Sequence, residues 1–194
     1  MTDQLEPILK EIRDHLKSGA ADRRSPLHTP VVGTPDGDLR VMVLRHFDPD
    51  ALTLRFHTDA RSPKVGAIEH DRGVAILFYD PAAKVQIRVR GTGRVERNGA
   101  AADAAWAEST PFARRCYLSE LAPGASTDVP LSGLPDWVEG VVPAEADLAP
   151  ARQNFAVIIV EIRAFDWLFL ANSGHRRAHF EFANGRTKSR WLAP

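Results

Sequence analysis

Residues 40–64 read Arg40-Val41-Met42-Val43-Leu44-Arg45, then His46 to Ala51, then Leu52-Thr53-Leu54-Arg55-Phe56-His57-Thr58-Asp59, then Ala60-Arg61-Ser62-Pro63-Lys64. The spacing predicts strand, short turn, strand, turn and helix start. Val41, Val43 and Leu44 sit among flanking arginines, and Leu52, Leu54 and Phe56 alternate with Thr53, Arg55 and His57, the period of a half-buried strand. Ser62 suits an N-cap, and Pro63 suits the first helical position, where its missing N–H would have had no partner. The helix then runs to about His70. Arg40, Arg45, Arg61 and Lys64, with the hydroxyls of Thr58 and Ser62, therefore fall at strand ends or in the loop before the helix. Several cations, small hydroxyl donors and free N–H groups at a helix N-terminus suit a phosphate. Arginines flanking a strand are also what a solvated surface presents, and residue types alone do not separate the two.

Working outward, residues 3–17 place Leu5, Ile8, Leu9, Ile12 and Leu16 at helical spacing, predicting an amphipathic helix that ends near Gly19. Leu27 to Gly33 reads as a short strand, and Thr34-Pro35-Asp36-Gly37-Asp38 as a hairpin turn. Arg45 to Ala51 reads as a tight connection. Gly73 to Tyr79 is a continuous apolar run suited to a buried strand. Val85 to Glu96 alternates as a long half-exposed strand, with Gly91 and Gly93 allowing a bend or bulge. A bent long strand among short ones argues for a barrel. Ala100 to Leu121 is helical in pattern, interrupted at Thr110-Pro111. Residues 122–135 are a long loop of the kind that forms lids or binding loops, and Pro135 to Ala146 could hold a short helix. Phe155 to Ile162 is a dense β-branched strand leading through Arg163–Asp166 into Trp167–Leu170. His175 to Ala183 and Arg186 to Leu192 form a final hairpin about Asn184-Gly185. The whole of 1–194 reads as one domain, mainly β with flanking helices (α+β), with residues 1–20 a helix and 122–150 a long loop region.

Lysine plus arginine and aspartate plus glutamate number 25 each, so no net charge argues for nucleic acid or an anionic membrane. The single Cys116 excludes an internal disulfide, predicts a reducing compartment, and reads as a small buried hydrophobe. There is no 20-residue apolar run and no signal-peptide pattern, so the expectation is a soluble cytoplasmic protein. Seven histidines show no ligand spacing on a predicted helix, so no metal site is expected. Gly91-Thr92-Gly93 sits inside a strand and is not a dinucleotide fingerprint. No serine has a nucleophile-elbow context.

Arg40-x-Met42-Val43-Leu44-Arg45, Phe56-His57-Thr58-Asp59, Ser62-Pro63-Lys64 and Gln86 in the next long strand resemble, in order and spacing, the pyridoxamine 5'-phosphate oxidase-like flavoproteins. That resemblance covers residues 25–110 well and 155–194 moderately. It implies a split β-barrel homodimer with FMN at the subunit interface. By carry-over Arg40 and Lys64 contact the FMN phosphate, Ser62, Pro63 and Thr58 border it, and Met42, Val43, Leu44 and Arg45 lie along the ring system. Gln86 hydrogen-bonds the ring, an amide being able to donate and accept, and His57 stands where the family often has tyrosine. The C-terminal Arg190-Trp191-Leu192-Ala193-Pro194 is similar to the family's terminal R-L-x-P. The substrate motif R-L-H-x-R is replaced by His175-Arg176-Arg177-Ala178-His179, placing His179 where a flavin arginine stands and His175 and Arg177 in the substrate pocket. Glu108-Ser109-Thr110-Pro111 likewise replaces S-R-P. These departures point to an FMN-binding oxidoreductase on another small molecule rather than to pyridoxine phosphate oxidation, and no catalytic side chain is identified. Two alternatives stay open: a non-catalytic carrier or sensor of flavin or haem, with His175 or His179 as axial ligand, and a barrel that has lost its cofactor and works through its interface.

Overall fold

A computed structural model describes residues 5–194. Helix α1 (Leu5–Ala21) buries Leu5, Ile8, Ile12 and Leu16, as the periodicity predicts; residues 3 and 4 of the expected helix lie outside the described residues. It runs past Gly19, which is small because a Cβ there would lie 2.9 Å from the Leu27 carbonyl oxygen. Leu27 itself is in a 3-10 turn, Pro26–His28, capped by Ser25, so the first strand begins later than expected. Strands β1 (Val31–Gly33) and β2 (Leu39–Val41) flank the Thr34–Asp38 turn, with Gly37 at φ 83°.

The expected Arg40–Arg45 strand is in fact two. β2 pairs with β1, β3 (Leu44–Asp48) pairs with β4 (Thr53–Asp59), and Met42-Val43 between them belongs to no ladder. The break lets the chain cross from one part of the sheet to another. β3 also takes in Phe47, buried in the core, so the 45–51 connection is shorter than expected. Helix α2 (Pro63–His70) follows β4, then β5 (Gly73–Asp80), β6 (Val85–Glu96), α3 (Ala100–Glu108) and the short α4 (Pro111–Arg114). Residues 119–135 are irregular, Asp136–Val138 and Glu145–Asn154 are 3-10 turns, and β7 (Phe155–Phe169), β8 (Arg176–Ala183) and β9 (Arg186–Leu192) complete the chain.

The nine strands form one antiparallel sheet ordered β2-β1-β5-β6-β7-β4-β3, with β8 and β9 branching from β7. β7 causes the fork. Its first half pairs with β4 and its second half with β8, while β6 runs along its other edge throughout. No break occurs at 163–166: Ala164, Phe165 and Asp166 pair on both sides, and Arg163 is the one extra residue of β7 at a register slip. The register of β6 slips between Arg90 and Gly91, and a Cβ on Gly91 would lie 2.5 Å from the Glu161 carbonyl oxygen. Only glycine lets the strands approach so closely there.

The sheet curls around a core that includes Leu44, Leu54, Phe56, Ile76, Phe78, Ile87, Val160, Phe165 and Phe180, and α1 packs against that core. A second cluster packs Ala102 and Ala105 of α3 onto Phe155, Val157 and Ile159. Residues 155–160 are thus buried on both faces, which is why they read as a continuous apolar run. β5 is different. Val74, Ile76 and Phe78 point inward, whereas Leu77 is 38% and Tyr79 46% exposed, so the apolar run 73–79 is buried on one face alone.

Candidate functional site

A cleft of about 580 Å³ opens where β2 hands over to β3, beside the C-terminal end of β4 and the start of α2. Arg40, Val41, Met42, Val43 and Arg45 line one side, and His57, Thr58, Asp59 and Lys64 the next. Cys116, Tyr117, Ser119, Pro123, Ser132 and Leu134 close the opposite wall. That volume accommodates a cofactor-sized molecule.

The cations converge at one end. Arg40 donates to Thr34 Oγ1 at 2.7 Å and pairs with Asp38. Lys64 donates to Ser62 Oγ and, at 3.4 Å, to Thr58 Oγ1. Burial, and then the neighbouring Arg40, push the Lys64 ammonium down from its usual pKa, against the pull of Asp59 and Asp38. The crowding of Arg40 against the half-buried Lys64 disfavours the ammonium, and an anion between them would relieve it. Asp59 is taken up by Arg61, which reaches it through two nitrogens at 3.0 and 2.8 Å. Arg61 therefore leaves the phosphate-like grouping expected from the sequence and does not line the cleft. Ser62 holds Lys64 and makes no cap bond to α2, and Pro63 occupies the first turn, exposed. The Leu44 side chain is fully buried in the core, so only its backbone is near the cleft.

His57 edges against Phe155, with ring centroids 5.0 Å apart, and its Nε2 is buried without a partner. Burial, and then Arg45 and Arg55, push its pKa down to about 3, so the imidazole is neutral at ordinary pH. Tyr117, also against Phe155, has its phenol pushed up by burial. Cys116 is exposed on the cleft wall, which corrects the expectation of a buried hydrophobe.

Gln86, Arg177 and His179 are elsewhere. Tyr79, Gln86, Leu168, Arg177 and Leu192 lie opposite one another across five strands, and so do Leu77, Arg88, Asp166, His179 and Arg190. Both rows face outward. Arg177 and Arg88 bind Asp166, each with a 2.8 Å contact, and His179 lies 4.0 Å from the same carboxylate. Burial raises the Asp166 pKa, but hydrogen bonds from Arg177 and Arg88 outweigh it and hold the carboxyl below its usual range. His175 is exposed before β8. The haem alternative relied on His175 or His179 as axial ligand, and neither lines the cleft. The expected site residues thus fall into two groups on one protomer: the cleft set from 40–64, and an outward-facing set on β6 and β8.

Residues 8–97 match the family model described as pyridoxamine 5'-phosphate oxidase, FMN-binding domain. Over those residues the chain resembles that family. The matched span runs from α1 through β6 and holds every cleft residue from Arg40 to Lys64, as well as Gln86. Among solved structures, the chain is similar to a pyridoxamine 5'-phosphate oxidase-related FMN binding protein from Nostoc punctiforme, at 22% identity and TM-score 0.75, covering 95% of this chain and 96% of that one. It is also similar to PhzG from Burkholderia lata 383, solved with tetrahydrophenazine-1-carboxylic acid, at 16% identity and TM-score 0.66, covering 97% and 92%. A Clostridium acetobutylicum protein related to general stress protein 26 matches at 10% identity and TM-score 0.54, covering 96% of each chain. These likenesses establish the fold, a split β-barrel with flanking helices. No curated protein matches the sequence. Among the described residues no helix is long and apolar enough to cross a membrane.

Cys116, Tyr117 and Ser119 of the wall are what sequence reasoning missed. Residues 122–135 were expected to be a lid or binding loop, but Cys116 and Tyr117 gave no signal beyond a helical pattern.

Proposed function

We propose that the cleft binds FMN and that the protein is a homodimeric flavin-dependent oxidoreductase acting on a small molecule other than pyridoxine phosphate. The observation that carries this reading is the convergence of Arg40, Lys64 and the Thr58 hydroxyl at one end of a cofactor-sized cleft, with the buried Ser62 hydroxyl accepting from Lys64. A phosphate there would accept charge-assisted hydrogen bonds from both cations. The ring system would extend along Met42-Val43, between β2 and β3, towards Arg45 and neutral His57. FMN, when bound, supplies hydride or electron transfer; the protein's part is placement, exclusion of water and electrostatics. Arg45 would put positive charge near the ring, and His57 would offer a hydrogen bond without adding charge.

A second copy completes the site. Leu39 and Val41 are 67% and 64% exposed, and with Leu77 and Tyr79 they make an apolar outer face. That face continues in register into Gln86, Arg177 and His179. Exposed apolar residues grouped beside polar ones are what a subunit interface presents. Pairing two protomers through this face would bring the Gln86 set of one to the cleft of the other, with Arg177 and His175 left to meet substrate. Light scattering with FMN titration tests this on wild-type protein and on Leu77→Glu, which lies on the outer face and not on the cleft wall. A dimer that binds FMN, and a variant that is monomeric and binds it weakly, are expected. A wild-type monomer with full FMN affinity would refute the shared site.

A further inference from the structure

We propose that Arg61 is a latch that fastens the 116–134 wall of the cleft to the strand end beneath it, and is a positioning residue rather than a phosphate ligand. The proposal rests on the FMN reading above only for its effect on ligand exchange; the latch itself is present in the protein alone. Arg61 grips Asp59 through Nε and Nη2 and at the same time donates to the Ser119 carbonyl at 2.9 Å and to the Glu120 carbonyl at 3.4 Å. Asp59 is itself at the cleft and its side chain is only 9% exposed, so the fork is held on a nearly buried anchor.

A second tie supports the first. Asn154 Nδ2 donates to the Tyr117 carbonyl at 2.9 Å, while the Asn154 carbonyl accepts from Ala60 N–H at 2.7 Å. Three carbonyls of the wall, on Tyr117, Ser119 and Glu120, are thereby fixed to the loop that links β4 to α2. Beyond them, Glu120 N–H closes on the Gly133 carbonyl at 3.0 Å, so residues 121–132 form a flap whose two ends meet at the latch. Beyond the latch, the flap is tied to the following segment by the Ser132 hydroxyl, which donates to the Glu139 carboxylate. Val129 and Leu131 are 61% and 53% exposed, and no helix or strand lies between 119 and 135. Segments with few buried contacts open first, and here the residues at the hinge include Ser119, Ser132 and Leu134 of the cleft wall. Loosening Arg61 should therefore open the wall without touching the cations that hold a phosphate.

Limited chymotrypsin digestion of the full chain, with cuts mapped by mass spectrometry, tests the latch without ligand. Arg61→Ala is expected to speed cleavage after Leu118, Leu121 and Leu131 by about tenfold, the factor one charge-assisted hydrogen bond corresponds to. Arg61→Lys should be nearly as fast, because one ammonium cannot hold a carboxylate bidentately and two carbonyls at once. In the same variants FMN should dissociate faster by a similar factor, and the melting temperature should fall, because Asp59 is left nearly buried without its partner. Unaltered cleavage, or cleavage spread over the whole chain, would overturn the proposal. So would Arg61→Lys behaving as wild type while Arg61→Ala lost FMN in a salt-dependent way, the signature of a phosphate contact. Should Arg61→Ala not fold, Asn154→Asp, which removes the donor to Tyr117, gives the same test. If wild-type protein bound no FMN, the digestion would still decide the latch and only the proposed function would fall.

Discussion

Replacing Lys64 with methionine should lower FMN affinity while leaving the ligand-free protein as stable as before. Lys64 is half-buried, and burial together with Arg40 makes its charge costly. Its partners there are two hydroxyls, Ser62 and Thr58, and no carboxylate pairs with it directly. Methionine keeps the stem and removes the charge. The loss of two hydrogen bonds to hydroxyls is set against relief of desolvation and of repulsion from Arg40, so the net change without ligand should be within about 1 kcal/mol. For a chain of this length that is a shift of about 2–4 °C in either direction. With FMN bound, the ammonium faces a phosphate, and losing that contact costs about 1.5–3 kcal/mol, or roughly 10- to 150-fold in Kd. Flavin fluorescence titration gives Kd, and a thermal melt gives stability on the same samples. An unchanged Kd would refute the placement of the phosphate. A melting temperature that fell by ten degrees or more would show that Lys64 holds the fold.

Two further outcomes follow from the geometry. Gly91→Ala should destabilise the protein by about 1–3 kcal/mol, because the added methyl meets the Glu161 carbonyl at 2.5 Å and Val160 Cγ1 at 2.6 Å; a melt indistinguishable from wild type would show that the slip between β6 and β7 relaxes freely. His57, held at about 3 against an ordinary 6.5, is protonated first in the unfolded chain as pH falls. Stability is therefore full above about pH 6.5 and declines below it by up to about 1.4 kcal/mol per pH unit. His179, also held low mainly by burial, adds in the same direction, so the difference between wild type and His57→Phe from pH 6.5 to 5 is the quantity to measure by denaturant titration. Parallel curves would contradict a buried neutral His57.

The half of the site carried by residues 40–64 was legible because its geometry is local. A β4 strand that alternates, a turn and a proline-started helix fix where Thr58, Ser62 and Lys64 lie relative to one another. Asn184 and Gly185, at φ 51° and 69°, were legible for the same reason, since a tight hairpin demands such residues. The break at Met42-Val43 was not, because both residues suit a strand and only the sheet's need to switch partners separates β2 from β3. Nor was the continuity of β7 through Arg163–Asp166, whose polar residues alternate with buried Phe165 and Trp167. The outward residues Leu77 and Tyr79 look in sequence like core, because apolar residues on a surface have the same chemistry as those inside. Cys116 and Tyr117 reach the cleft from almost sixty residues beyond β4 through ties such as Asn154 to the Tyr117 carbonyl, and no periodicity announces contacts of that kind.

The central claim is that this cleft is built around a phosphate-bearing flavin. Titrating purified, flavin-stripped protein with FMN and, separately, with riboflavin tests it most directly, with flavin absorbance followed through gel filtration. FMN should be retained near one per chain, and riboflavin, lacking the group that Arg40 and Lys64 would hold, should bind at least roughly tenfold more weakly. Equal affinity for the two flavins, or retention of neither, would contradict the account.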